Sequence, residues 1–94
     1  MNDKSSGYKV RYEVGAQKAL KKLDKSVSRQ IMAWISKNLV GTDNPRQHGK
    51  GLVADRSGAW RYRIGNYRLI ADINEKEILI LILEIGHRRD VYKR

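Results

Sequence analysis

The chain has 94 residues, enough for one hydrophobic core and too few for two. It carries 20 Lys and Arg against 10 Asp and Glu, a formal net charge of +10, and so favours polyanionic partners, nucleic acid first and an anionic membrane surface second. With no cysteine and only two histidines, His48 and His87, disulfides, thiolate catalysis and cysteine-ligated zinc are excluded, and no histidine metal site is expected.

Taken in chain order, Met1 to Gly7 is polar throughout and reads as a disordered arm, not as a signal peptide. Tyr8 to Val14 alternates apolar and charged residues, the period of a strand. Gly15 breaks that alternation. Ala16, Ala19, Leu20 and Leu23 then recur at helical spacing, with Lys18, Lys21 and Lys22 on the solvent face. Asp24 is placed to cap a second helix, whose buried stripe is Val27, Ile31, Trp34 and Ile35. Gly41-Thr42-Asp43-Asn44-Pro45 ends it with turn residues. Arg46 to Gly58 has no clear period and reads as a loop with room for a short strand near Leu52. His48, inside it, reads as exposed polar surface.

The next segment is the most informative. In Trp60-Arg61-Tyr62-Arg63-Ile64-Gly65-Asn66-Tyr67-Arg68-Leu69, arginines alternate with apolar residues on both sides of a two-residue Gly-Asn turn. That register opposes Ile64 to Tyr67 and Arg63 to Arg68. One face of the hairpin then carries Trp60, Tyr62, Ile64, Tyr67 and Leu69 as core, and the other carries Arg61, Arg63 and Arg68. Like charges opposed across a ladder destabilise it, so an anion is expected on that face. Tyr67 to Ile73 and Ile78 to Ile85 form a further hairpin through Asn74-Glu75-Lys76-Glu77. Its second strand is apolar on both faces, which marks a central position: Ile78, Ile80 and Ile82 toward the helices, Leu79, Leu81 and Leu83 toward the arginines. The longest apolar run, Ile78 to Leu83, is far short of the roughly 20 residues of a membrane span.

Directly after that strand comes Gly86-His87-Arg88-Arg89-Asp90-Val91-Tyr92-Lys93-Arg94. Its exit brings His87, Arg88 and Tyr92 toward the end of the sheet that holds the hairpin arginines. A basic tail is commonly no more than solvated surface. Here, though, guanidiniums fork onto phosphate oxygens, a phenol ring can stack on a base, and imidazole is the side chain suited to proton transfer near neutrality. Together they suit a phosphodiester. The expected fold class is α+β, in the order β-α-α-β-β-β, with a helical hairpin on one face of a small, mostly antiparallel four-stranded sheet. Residues 1 to 94 read as a single domain.

The order of elements, the Gly58-to-Leu69 segment and the ending Gly86-His87-Arg88-Arg89-Asp90-Val91-Tyr92 closely resemble the RelE/ParE toxin superfamily, nearest to RelE-type mRNA interferases of bacterial toxin–antitoxin pairs. The resemblance covers essentially Tyr8 to Tyr92. It implies a cytoplasmic toxin that enters the ribosomal A site and cuts mRNA by attack of a 2′-hydroxyl on its own 3′-phosphate, until a cognate antitoxin protein neutralises it. It further implies that Arg61 and Arg63 hold the phosphate, Arg68 stabilises developing charge, Arg88 donates a proton and Tyr92 stacks on a nucleotide. RelE-type hairpins carry lysines where this chain has Arg61 and Arg63. Arginine effectively never gives up its proton, so the general base is open and His87 becomes a candidate. No cofactor, metal, membrane or small-molecule ligand is implied. Two rivals stay open: a ParE-like inhibitor of DNA gyrase without nuclease chemistry, and a non-catalytic nucleic-acid-binding module.

Overall fold

Alternation of apolar and charged residues builds the sheet, and the two helical stripes cover one side of it. The computed structural model describes residues 7–51 and 59–87. Strand β1 (Lys9–Tyr12) is followed by helices α1 (Val14–Lys22) and α2 (Lys25–Asn38), then by β2 (Lys50–Gly51), β3 (Ala59–Ile64), β4 (Tyr67–Asn74) and β5 (Leu79–His87). The strands form one sheet in the order β1-β5-β4-β3-β2. β1 runs parallel to β5, and every other neighbouring pair is antiparallel.

The helix side holds the core. Ala16, Ile31, Ile35 and Leu39 pack with Tyr62, Ile64, Leu69, Ala71, Ile80, Ile82 and Ile85, and Ala19, Leu20, Leu23, Val27 and Trp34 close the edges. Both expected helical stripes are thereby realised. Asp24 occupies the N-cap position of α2, but its side chain makes no capping hydrogen bond there. Its carbonyl accepts from the Ser28 amide at 2.9 Å, and the Ser28 hydroxyl ties back to the Leu20 carbonyl at 2.7 Å, joining the two helices.

Four details differ from the expectations. The sheet has five strands, because the two-residue β2 pairs with β3 just before the position foreseen for a short strand. Helix α1 begins at Val14, so Gly15 lies in its first turn and does not separate strand from helix. The reason is local: the Glu13 amide still donates to β5 at Ile82, while its carbonyl already accepts from Gln17. Ile78 falls in the β4–β5 turn with a φ of 52° and is 43% exposed, so it does not meet the helices. The Asn74 side chain accepts from the Glu77 amide and holds that turn shut.

The fourth is a bulge. Ile70 pairs with Glu84 and Ala71 with Ile82, which leaves Leu83 as the extra residue of β5. An extra residue reverses which side chains face which way beyond it. Ile80 and Ile82 face the helices before the bulge, and Ile85 faces them after it, while Glu84 moves to the open side. Without the bulge, Glu84 would enter the core.

Candidate nucleic-acid interface

The open side of the sheet is built from the residues that the core leaves over. The hairpin register is the expected one, Arg63 opposite Arg68 and Ile64 opposite Tyr67, with Gly65 at a φ of 60° in the turn. Arg61, Arg63 and Arg68 therefore share the face away from the helices. Arg63 is exposed and Arg61 half-buried. Arg68 is only 4% exposed. It lies opposite Gly86, which offers no side chain to obstruct it, and the bulge sets Glu84 two residues along on the same face, within diagonal reach of a long side chain. Arg68 is thus an enclosed cation set at the centre of the face, whereas Arg63 is an open one.

Lys50 extends this cluster. It pairs with Arg61 across β2 and β3, so two pairs of like charges stand side by side, Lys50 with Arg61 and Arg63 with Arg68. Gly49, Lys50, Arg61 and Arg63 line a pocket of about 220 Å³. Among the described residues, its lining offers positive charge and no carboxylate.

The segment that delivers Lys50 is fixed from the opposite face of β3. The Trp60 indole donates to the His48 carbonyl at 2.6 Å, and the Tyr62 hydroxyl donates to the Pro45 carbonyl at 2.7 Å. Trp34 stands against both the His48 ring and the Tyr62 ring, at 5.7 and 5.6 Å between centroids. Arg46 lies over Trp60 at 5.6 Å and pairs with Glu75. Burial pushes the Tyr62 phenol far above its ordinary value, with the Arg46 charge pulling weakly the other way. His48 is accordingly a packed part of this strap and not merely the exposed surface residue expected. Gly49, at a φ of 79°, is where a glycine is required: a Cβ there would lie 2.1 Å from the Arg61 carbonyl oxygen.

His87 pairs with Tyr67 and meets its ring edge-to-face at 5.6 Å. It stands at the Gly65–Asn66 end of the sheet, as the sequence suggested, but on the helix side, because the bulge reverses the alternation before it. Arg88 and Tyr92 lie outside the described residues. On the far half of the open face, Lys9 sits beside Leu79 and Arg11 beside Leu81, so the leucine strip is flanked by β1 cations. Lys50 and Glu84 escaped the sequence reading. A lysine between Gly49 and Gly51 was the available signal for the first; the bulge that turns Glu84 outward leaves no mark that alternation alone can read. Among the described residues, no cluster of His, Asp and Glu could hold a metal ion, and no helix is long and apolar enough to cross a membrane.

Two helices on one face of a mixed sheet, with a cationic open face, make up an α+β fold. The family model described as the ParE toxin of the type II toxin–antitoxin system parDE matches residues 10–92. The chain is 30% identical over 87 residues to toxin RelG of Mycobacterium tuberculosis, covering 93% of this chain and 98% of RelG. Among solved structures, the RelBE2 toxin–antitoxin complex of the same organism matches with a TM-score of 0.79 at 28% identity, covering 87% of this chain and 99% of that one. The isolated E. coli RelE toxin shares the fold, with a TM-score of 0.69 at 18% identity, covering 94% of this chain and 98% of that chain. The chain belongs to the RelE/ParE superfamily and is a toxin of a type II toxin–antitoxin system, with a cognate antitoxin as its partner.

Proposed function

We propose that this toxin is a ribosome-dependent mRNA endonuclease of the RelE type, acting in the cytoplasm on mRNA in the ribosomal A site. The observation that carries the reading is the doubled like-charge pairing on one face, Lys50 with Arg61 and Arg63 with Arg68, beside a pocket lined by Gly49, Lys50, Arg61 and Arg63. Opposed cations cost stability unless an anion comes between them, and a phosphodiester backbone is the anion that matches forked guanidiniums.

In the reaction, the 2′-hydroxyl gives up its proton as its oxygen bonds to phosphorus, and the P–O5′ bond breaks as the 5′-oxygen takes up a proton, leaving a cyclic phosphate and a 5′-hydroxyl. Arg61 and Arg63 hold the phosphate oxygens, and the enclosed Arg68 stabilises the charge that grows on the phosphorane, where a low local dielectric strengthens it. Arginine binds this charge without exchanging protons. By resemblance, Arg88 serves the leaving group and Tyr92 stacks on a nucleotide. His87 takes part only if the RNA passes over the Gly65–Asn66 end of the sheet, since the helix-side position separates it from the arginines. The leucines of β5, bordered by Lys9 and Arg11, offer the antitoxin an apolar strip with cationic margins.

A second reading, gyrase inhibition without nuclease chemistry, is favoured by one observation, the match of the ParE toxin model over residues 10–92. One experiment separates the two. Purified toxin is incubated with programmed ribosomes and the mRNA 5′ ends are mapped, and the same preparation is added to a gyrase supercoiling assay. Cuts within the A-site codon with unaffected supercoiling support the nuclease. Intact mRNA with inhibited supercoiling moves the assignment to gyrase.

A further inference from the structure

We infer that Lys50 is a third phosphate-binding cation of the cleavage site, delivered to Arg61 and Arg63 by the strap that precedes it. The inference deepens the nuclease reading and rests on it for the identity of the phosphate. Three independent features converge. By register Lys50 is opposite Arg61 on the open face, and it lines the same pocket as Arg61 and Arg63. The backbone that precedes it is shaped for this approach, because Gly49 takes a left-handed φ and passes so close to the Arg61 carbonyl that no side chain fits. Finally, the anchors act on the other face, through the Trp60 indole on His48 and the Tyr62 hydroxyl on Pro45.

The energetic sense is one-sided. A strand of two residues gains little from its ladder, and it sets one cation beside another. The aromatic contacts and hydrogen bonds of the helix side supply the hold that so short a ladder lacks. A strap needed only to cover the sheet edge would be served better by a neutral or acidic residue at position 50. An ammonium is a compact donor that complements the planar forks of its neighbours. Two forks and one ammonium can enclose a tetrahedral phosphate from one side and leave its far side open to the attacking 2′-oxygen.

The test uses the whole protein and two readouts. In the first, 15N-labelled toxin is titrated with a trinucleotide RNA bearing a central 2′-O-methyl group, a probe that binds without being cut. In the second, single-turnover cleavage is measured on programmed ribosomes. Lys50→Ala is expected to weaken trinucleotide binding by about tenfold or more, the effect of removing one charge-assisted contact, and to slow cleavage, with thermal stability unchanged or raised. Lys50→Arg should restore both, and Gly49→Ala should reproduce the defect with Lys50 still present. Wild-type trinucleotide affinity in folded Lys50→Ala overturns the inference, as does a set of shifted amides that leaves out Gly49 to Arg63. If the wild-type toxin cuts nothing on ribosomes, the nuclease reading fails by itself, and the titration still decides whether Lys50 binds phosphate.

Discussion

The two faces of this sheet follow opposite rules. On the helix side the core residues pack against apolar neighbours: Ile80 and Ile82 are fully buried against the helices, and the Tyr62 hydroxyl, inside the core, is satisfied by a carbonyl. On the open side Lys50 opposes Arg61, and Arg63 opposes Arg68. The first pattern is what stability selects. The second is a pattern that stability alone would remove, and it lies on the same strands, one residue out of phase. In a strand, neighbouring positions point to opposite sides, so β3 can serve packing through Trp60, Tyr62 and Ile64 while presenting a row of cations through Arg61 and Arg63. The lesson is that the fold's strength and its chemistry are separable residue by residue.

Substitutions on the two faces should therefore fail in different assays. Ile82→Ala, at a site with no exposure, should lose ~2–5 kcal/mol of stability in urea unfolding, through lost burial and the cavity left behind. Its cleavage rate, measured on the fraction that remains folded, should be nearly unchanged. Arg63→Ala should do the reverse. Its exposed side chain adds little to the core, and removing it relieves the Arg63–Arg68 repulsion, so stability should hold or rise. Loss of one guanidinium from a phosphate whose negative charge grows as the reaction proceeds should cost ~2.7–4 kcal/mol in the rate, roughly a hundred- to a thousandfold. Arg68→Ala is a less clean probe because that side chain is buried, and it should fail in both assays. A stable, fully active Arg63→Ala protein would end the idea that the open face is the site.

How much of this division was legible in the sequence depends on how local its cause is. The arginine hairpin was readable because alternation and a Gly-Asn turn fix register within a dozen residues, and the helical stripes were readable for the same reason. The bulge at Leu83 was not. Its sequence, a run of alternating Ile and Leu, fits either phase equally well, and only the cost of burying Glu84 selects the one observed. That choice also carries His87 to the helix side. Lys50 was missed because its place beside Arg61 follows from a pairing that no alternation or turn signal marks, through a strap whose anchors, Pro45 and His48, offer backbone carbonyls and so leave no side-chain signature.

The strap lets the comparison be tested across the sheet rather than along it. Tyr62→Phe keeps the ring in the core but removes the hydroxyl that holds Pro45, and should cost ~1 kcal/mol or somewhat more, since a carbonyl loses its donor. It should also change the pH dependence. Burial raises the Tyr62 phenol above its ordinary value of 10.0, so the unfolded chain releases this proton first. The stability tied to the neutral phenol is complete below about pH 10 and falls as the pH rises beyond it. Tyr12, also raised by burial, acts in the same sense. Urea midpoints measured from pH 8 to 11 should fall in the wild type and fall less steeply in Tyr62→Phe. Parallel curves would show that the phenol is not held neutral by the core.

The smallest expected effect belongs to the end of the sheet most distant along β4 from the Gly65–Asn66 turn. Ile78 closes the β4–β5 turn with a φ of 52°, a conformation that costs an L-residue roughly 1–2 kcal/mol and that glycine adopts freely. Being 43% exposed, its side chain recovers only part of that cost through burial. Ile78→Gly removes the strain but adds disorder to the unfolded chain, a penalty of ~0.5–1 kcal/mol, so the net gain should be at most about 1 kcal/mol. Ile78→Asn tolerates the same φ with less unfolded-state entropy and should gain slightly more. Both variants should cut mRNA at the wild-type rate, because neither touches the cationic face and the hydrogen bond from the Lys9 amide to the residue-78 carbonyl is kept. Thermal melts that drop in both variants would mean that the exposed isoleucine has a packing role strong enough to outweigh its backbone strain. A loss of activity without a loss of stability would connect this turn to the site and contradict the separation of strength from chemistry along these strands.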